Sequence, residues 1–174
     1  MRRTLKLILV LLACTVGFSS AYAASNSISA LWAKARADIG SNSPVPVYLP
    51  SRLPSMVTKY GVKLVFAQRT KHGYEVSFYY VAPPSDATFA GFVSGSDTTL
   101  DVQAISNIHA VHLRNGTKAW FRPINCGGSC APANLWWQVS GHEYQLQLKL
   151  SSSMSSNAQL SAMLLTANSM VHYP

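Results

Sequence analysis

Acidic side chains are scarce here: six Asp and Glu stand against fourteen Lys and Arg in 174 residues, and only 11% of the chain is charged. None of Asp38, Glu75, Asp86, Asp97, Asp101 and Glu143 falls in a metalloprotease, calcium-loop or phosphate-loop motif. Cysteine is scarce too, with three in all. Long apolar runs are missing outside the first two dozen residues, and that one is broken by Lys6, which excludes a multi-span membrane protein. What is present is a chain 48% hydrophobic, too apolar for a disordered tail and of the size of one domain.

Residues 1–23 have the anatomy of a secretory signal: Arg2, Arg3 and Lys6, an apolar stretch from Leu7 to Phe18, then Ala21-Tyr22-Ala23 before Ala24. The rival reading is a lipoprotein cut before Cys14, with Leu12 a poor residue for it. Cleavage after Ala23 leaves a domain over 24–174, periplasmic or secreted, with eleven cations against six acids. Those cations are scattered, which argues against a nucleic-acid partner and is compatible with anionic lipid or polymer. No transmembrane span remains after signal removal.

Cys126 and Cys130 flank Gly-Gly-Ser, and in an oxidising compartment a disulfide is the default. Thiol redox or copper chemistry is the alternative, but it calls for a helix N-terminus, and Pro132 with a strand pattern follows instead.

Apolar residues Ile28, Leu31, Trp32, Ala35 and Ile39 recur at helical spacing before Gly40. Residues 44–54 carry four prolines and form an extended strap that cannot be a central strand. Three hairpins follow. A type I turn with Gly73 as a left-handed bulge pairs Thr70 with Tyr74 and places Leu64 and Phe66 with Phe78. A two-residue turn at Asn115-Gly116 sets Val111 opposite Trp120, sending Trp120 to the core and His112 and Phe121 outward. A type II′ turn at Gly141-His142 pairs Val139 with Tyr144 and Trp137 with Leu146. Pro83 to Thr99 reads as a loop, Leu100 to Ile105 as a short strand, and Asn157 to Val171 as a closing helix. The fold class is α+β: an antiparallel β-sheet of hairpins, five or six strands, with an N-terminal and a C-terminal helix packed on it.

Several of these segments carry a resemblance. The proline-flanked Val47-Tyr48-Leu49-Pro50-Ser51-Arg52-Leu53-Pro54, the hairpin end Phe78-Tyr79-Tyr80, Leu135-Trp136-Trp137, the strand Gly141 to Leu146 and the helix Leu160 to Val171 stand in sequence. In that order the chain resembles a bacterial family of exported domains of unknown function, found in envelope lipoproteins and anti-sigma-factor-like proteins. The resemblance implies a sheet with a covering helix and an envelope setting; it implies no reaction and no catalytic residues.

No catalytic set, metal site or cofactor is legible. His109 and His112 project to opposite faces of a strand, and Met154, Met163, Met170 and His172 read as core and terminus rather than as a copper site. The sheet face away from the closing helix carries Val65, Tyr79, His112, Arg114, Phe121 and Trp136, with Gln138 and Gln147. Aromatics beside cations and amides suit sugars, amphiphile tails or protein partners. The opposing possibility is that helix 28–39 and the strap bury this face. The expected function is therefore a non-enzymatic envelope accessory or binding module for a protein, lipid or polysaccharide, through Tyr79, His112, Arg114, Phe121 and Trp136. The alternative is a small secreted hydrolase built from loop residues such as Ser94, Asp97 and His112.

Overall fold

The computed structural model describes residues 28–55, 57, 61–81, 84–99, 101–126 and 129–173. The expected secretory signal at 1–23 and Cys14, the site of the rival lipoprotein reading, lie outside the described residues. Helix α1 (Ile28–Ile39) is followed by strands β1 (Val47–Pro50), β2 (Leu64–Arg69), β3 (Gly73–Tyr79) and β4 (Phe89–Ser96). A 3-10 turn (Val102–Ala104) leads to β5 (His109–His112), β6 (Lys118–Arg122) and the short β7 (Asn125–Cys126) and β8 (Cys130–Ala131). Then come β9 (Ala133–Val139), β10 (His142–Leu148), helix α2 (Ser156–Ala167) and β11 (Met170–Tyr173). Seven strands form one sheet in the order β2-β3-β4-β10-β9-β6-β5, every neighbouring pair antiparallel. No helix among the described residues is long and apolar enough to cross a membrane.

On the inner face, Tyr74, Val76, Phe78, Val93, Leu135, Trp137, Tyr144 and Leu146 form the core. From α1, Leu31, Trp32, Ala35 and Ile39 are buried, and Trp32 meets Phe78 edge-on at 5.8 Å. From α2, Met163 and Ala167 join the same core. The proline strap pairs with the C-terminal strand as an antiparallel ribbon, Val47 opposite Tyr173 and Pro50 opposite Met170. This ribbon lies on the inner face: the Tyr74 hydroxyl donates to the Tyr48 carbonyl at 3.0 Å and accepts from its N–H at 2.9 Å, and the Tyr144 hydroxyl donates to the Pro46 carbonyl at 3.2 Å. Burial drives the pKa of both phenols well above the ordinary tyrosine value, keeping them neutral donors.

Two hairpin registers differ from expectation by one residue, and a slip of one turns a strand over. At the first, Arg69 rather than Thr70 pairs with Tyr74, which puts Val65 inside and Phe66 outside, half exposed. Gly73 is a strand residue at close approach rather than a left-handed bulge: a Cβ there would lie 1.8 Å from the Gly95 carbonyl oxygen. At the second, the Gly116 N–H bonds the Leu113 carbonyl, and Gly116, with φ +84°, is the bulge of a three-residue loop. Val111 therefore faces Ala119, Phe121 enters the core at 1% exposure, and Trp120 turns outward. The third turn sits at Ser140-Gly141, both with positive φ, so Trp137 faces Tyr144. That change of two keeps every side chain on its expected face.

The supposed loop contains the central strand β4, while 102–104 is a 3-10 turn and not a strand. The closing helix ends at Ala167, where the Asn168 N–H bonds the Leu164 carbonyl, and Met170 and Val171 pair with the strap instead. Cys126 and Cys130 are bonded, with Cα atoms 4.1 Å apart, at the exposed tip of the β7–β8 hairpin.

Candidate functional site

Pleating sends alternate residues of each strand outward, away from both helices, and the register aligns them in rows. One row runs Phe66, Ser77, Phe92, Gln147, Asn134, Arg122 from β2 to β6. The next runs Gln68, Glu75, Ser94, Gln145, Trp136, Trp120. The face is thus aromatic at one end and rich in amides and cations at the other.

The aromatic end is a chain of rings. Phe66 meets Tyr79 at 5.9 Å and Tyr79 meets Phe89 at 5.8 Å, both near perpendicular, and Phe89 lies 6.5 Å from Phe92. Phe66 is 50% exposed. At the other end Asn134 is fully buried: its carbonyl oxygen accepts from the Gln145 and Gln147 amides at 2.8 and 3.1 Å, and its own amide donates to the Pro132 carbonyl at 3.0 Å. The Arg122 guanidinium lies 5.6 Å over the Trp136 ring, and the Lys118 ammonium 5.3 Å over Trp120.

Two adjacent donors on this face lack an acceptor: Trp136 Nε1 and Arg122 Nε are both buried and without a hydrogen-bond partner. A buried donor left unmet costs roughly 1–3 kcal/mol, so two side by side need a reason. The third such atom, His142 Nδ1, stands apart at the hairpin turn between β9 and β10.

The residues expected to form the site are only partly gathered. Tyr79 is in the ring chain, and Trp136 is on the same face but only 3% exposed, hence not an open platform. His112 sits on the edge strand β5, and Arg114 lies in the loop after it, its N–H donating to the Asn168 side chain at 2.7 Å. Phe121 and Val65 belong to the core, for the register reason already given. Helix α1 and the strap bury the inner face, not this one. Trp120, expected in the core, is half-buried on the outside.

Ser94, Asp97 and His112 do not meet. Ser94 is on β4, Asp97 lies 3.0 Å from His72 Nδ1, and His112 is on β5, four strand spacings or about 19 Å from β4. Among the described residues no group of three or more His, Cys, Asp or Glu is placed to hold a metal.

Sequence reasoning missed Phe89 and Phe92 because glycines on β4 read as a loop. These glycines make room for rings: a Cβ on Gly95 would lie 2.6 Å from the Tyr74 ring, and one on Gly91 would lie 2.9 Å from the Phe78 ring. The alternation Phe92, Ser94, Ser96 was the available signal. Arg122 was missed with the slipped register.

Concavities also lie elsewhere on the described residues, among them one of about 310 Å³ that includes Arg114, Trp137 and Asn168. A cleft of about 620 Å³ lies between the end of α1 and the ribbon, lined by residues including Arg36, Pro44, His172 and Tyr173. An apolar one of about 710 Å³ includes Ile28, Leu53, Pro54, Met154 and Leu165. Neither of these last two holds a buried polar atom without a partner. No protein-family model, curated protein or solved structure matches this chain.

Proposed function

We propose that this protein is a non-enzymatic binding module of the bacterial envelope, exported by residues 1–23 to the periplasm or beyond, and that it works through the outer sheet face. Both helices serve as backing for that face, a role supported by the Trp32–Phe78 contact and the burial of Met163. The observation that carries the reading is the coexistence, on one face, of a partly exposed ring chain and a polar cluster with two unmet donors. Rings supply contact area at low entropic cost and amides supply direction, which is the make-up of a recognition surface. The resemblance to exported domains of unknown function agrees with an envelope setting. A hydrolytic reading receives no support from Ser94, Asp97 and His112, which are spread across the sheet.

The test is co-sedimentation of the purified protein with cell-wall and outer-membrane fractions. The double variant Phe66→Ser, Trp120→Ser alters exposed and half-buried rings outside the core. It should lose at least tenfold in binding, the order of one or two hot-spot contacts, with little change in Tm. Undiminished binding by a folded double variant would refute the outer-face reading.

A further inference from the structure

We propose that Arg122 and Trp136 form a carboxylate site for an acidic sugar, reached when the turn at Val102–Ala104 moves aside. This rests on the outer-face reading and narrows it to one ligand class.

The donors define the acceptor. Arg122 and Trp136 sit diagonally across β6 and β9, with the Arg122 guanidinium 5.6 Å over the Trp136 ring, and Trp136 Nε1 and Arg122 Nε each lack a partner. Arg122 takes part in neither the Lys34–Asp38 nor the His72–Asp97 pair. A hydroxyl could meet one of these donors, but it brings no charge. A carboxylate brings two acceptor oxygens and a counter-charge, one oxygen for each donor.

The surroundings suit a sugar ring carrying that group. Gln145 and Gln147 direct their amide N–H groups to Asn134, which leaves their carbonyl oxygens to accept from hydroxyls. Phe92 shares the row of Gln147, and Trp120 pairs with Trp136, so a ring face lies on either side of the polar cluster. An acidic peptide would use the carboxylate site but would leave most of this amide row idle.

The cover follows from the topology. The chain leaves β4 at Ser96 and enters β5 at His109, with β10, β9 and β6 between them. Val102 and Trp136 are the two buried hydrophobic residues outside the main core, so we assign the turn to the outer side, over Trp136. The turn's own backbone bonds are local, Ala104 to Asp101 and Ile105 to Val102. Moving it breaks no strand pairing, and binding is weakened by the fraction of molecules in which it is closed.

The experiment follows the indole N–H signals of 15N-labelled protein by NMR, with the Trp136 signal assigned from Trp136→Phe. The Trp32 indole, bonded to the Pro50 carbonyl, is the internal reference. A galacturonic acid trimer should shift the Trp136 signal downfield and saturate it, and the neutral galactose trimer should bind about tenfold more weakly. Arg122→Gln should abolish that preference, and Val102→Ala should tighten acid-trimer binding several-fold. Trp136→Phe keeps one aromatic ring and removes the pyrrole ring with its N–H, so it serves should Arg122→Gln fail to fold; it should weaken the acid trimer more than the neutral one.

An indole signal unmoved by the acid trimer means the donors are met by water alone, and the proposal falls. Equal binding of both trimers, a stronger shift with an acidic peptide, or weaker binding by Val102→Ala overturns it as well. If the acid trimer fails while envelope binding still depends on Phe66 and Trp120, this inference is lost and the outer-face reading stands. If envelope binding is independent of those rings, the outer-face reading is lost as well.

Discussion

Tyr74 shows how one hydroxyl can tie two layers together. It satisfies both backbone groups of Tyr48 from 26 positions away, on a strap whose prolines cannot supply a full ladder. Tyr74→Phe should cost about 1–3 kcal/mol, since a buried N–H and carbonyl lose their partner while the ring still packs. Urea unfolding measures it. The same burial fixes the response to alkali. A folded pKa raised above the unfolded value of about 10 means the folded chain keeps protons that the unfolded chain releases. This stability is fully present below about pH 10 and is lost as pH climbs beyond it. The urea midpoint should therefore fall above that pH, and fall less steeply in Tyr74→Phe. Residue type alone marked Tyr74 as a strand aromatic; its partner was illegible, because no local pattern connects it to Tyr48.

At the level of elements, the helix stripe of α1 and the alternation of β10 were legible, as each depends on its own period. Registers were less so. Asn115-Gly116 admits both a two-residue turn and a three-residue loop with a bulge, and only the second puts Phe121 inside. Phe121→Ala should accordingly cost about 3–5 kcal/mol, whereas Trp120→Ala should cost far less. Thermal unfolding of the pair decides which strand face is buried. Gly73→Ala tests the other hairpin. A methyl aimed at the Gly95 backbone cannot be accommodated by rotating a side chain, so a loss of about 3 kcal/mol or more is expected in chemical denaturation. Were Gly73 a left-handed bulge on an open turn, the loss would be near 1 kcal/mol.

Across the whole molecule, distant segments meet: residues 47–50 pair with 170–173, and Val47 and Leu49 of the ribbon so formed share one core with residues of both helices and the inner sheet face. The sheet's other side is thereby left to the ring chain and the Arg122 cluster. The Cys126–Cys130 bond lies outside this arrangement, at an exposed tip. It closes a loop only four residues in sequence separation, so Cys126→Ser with Cys130→Ser should cost no more than roughly 2 kcal/mol. The binding proposed for the outer face should survive that change. A collapse of the fold on reduction, seen by circular dichroism, would give the bond a larger role than the architecture assigns it.

The three hairpins, the inward stripe of α1, the cysteine pair and the antiparallel character were set locally, by periodicity and turn residues acting over a few positions. Which side of β2 and β6 points inward was not, because alternative turns differ little in their own energy and differ greatly in what they bury. The shared core made that choice, drawing Val65 and Phe121 in and turning Phe66 and Trp120 out. The same tertiary decision left Arg122 and Trp136 side by side without an acceptor, because strands 118–122 and 133–139 became neighbours in that one register.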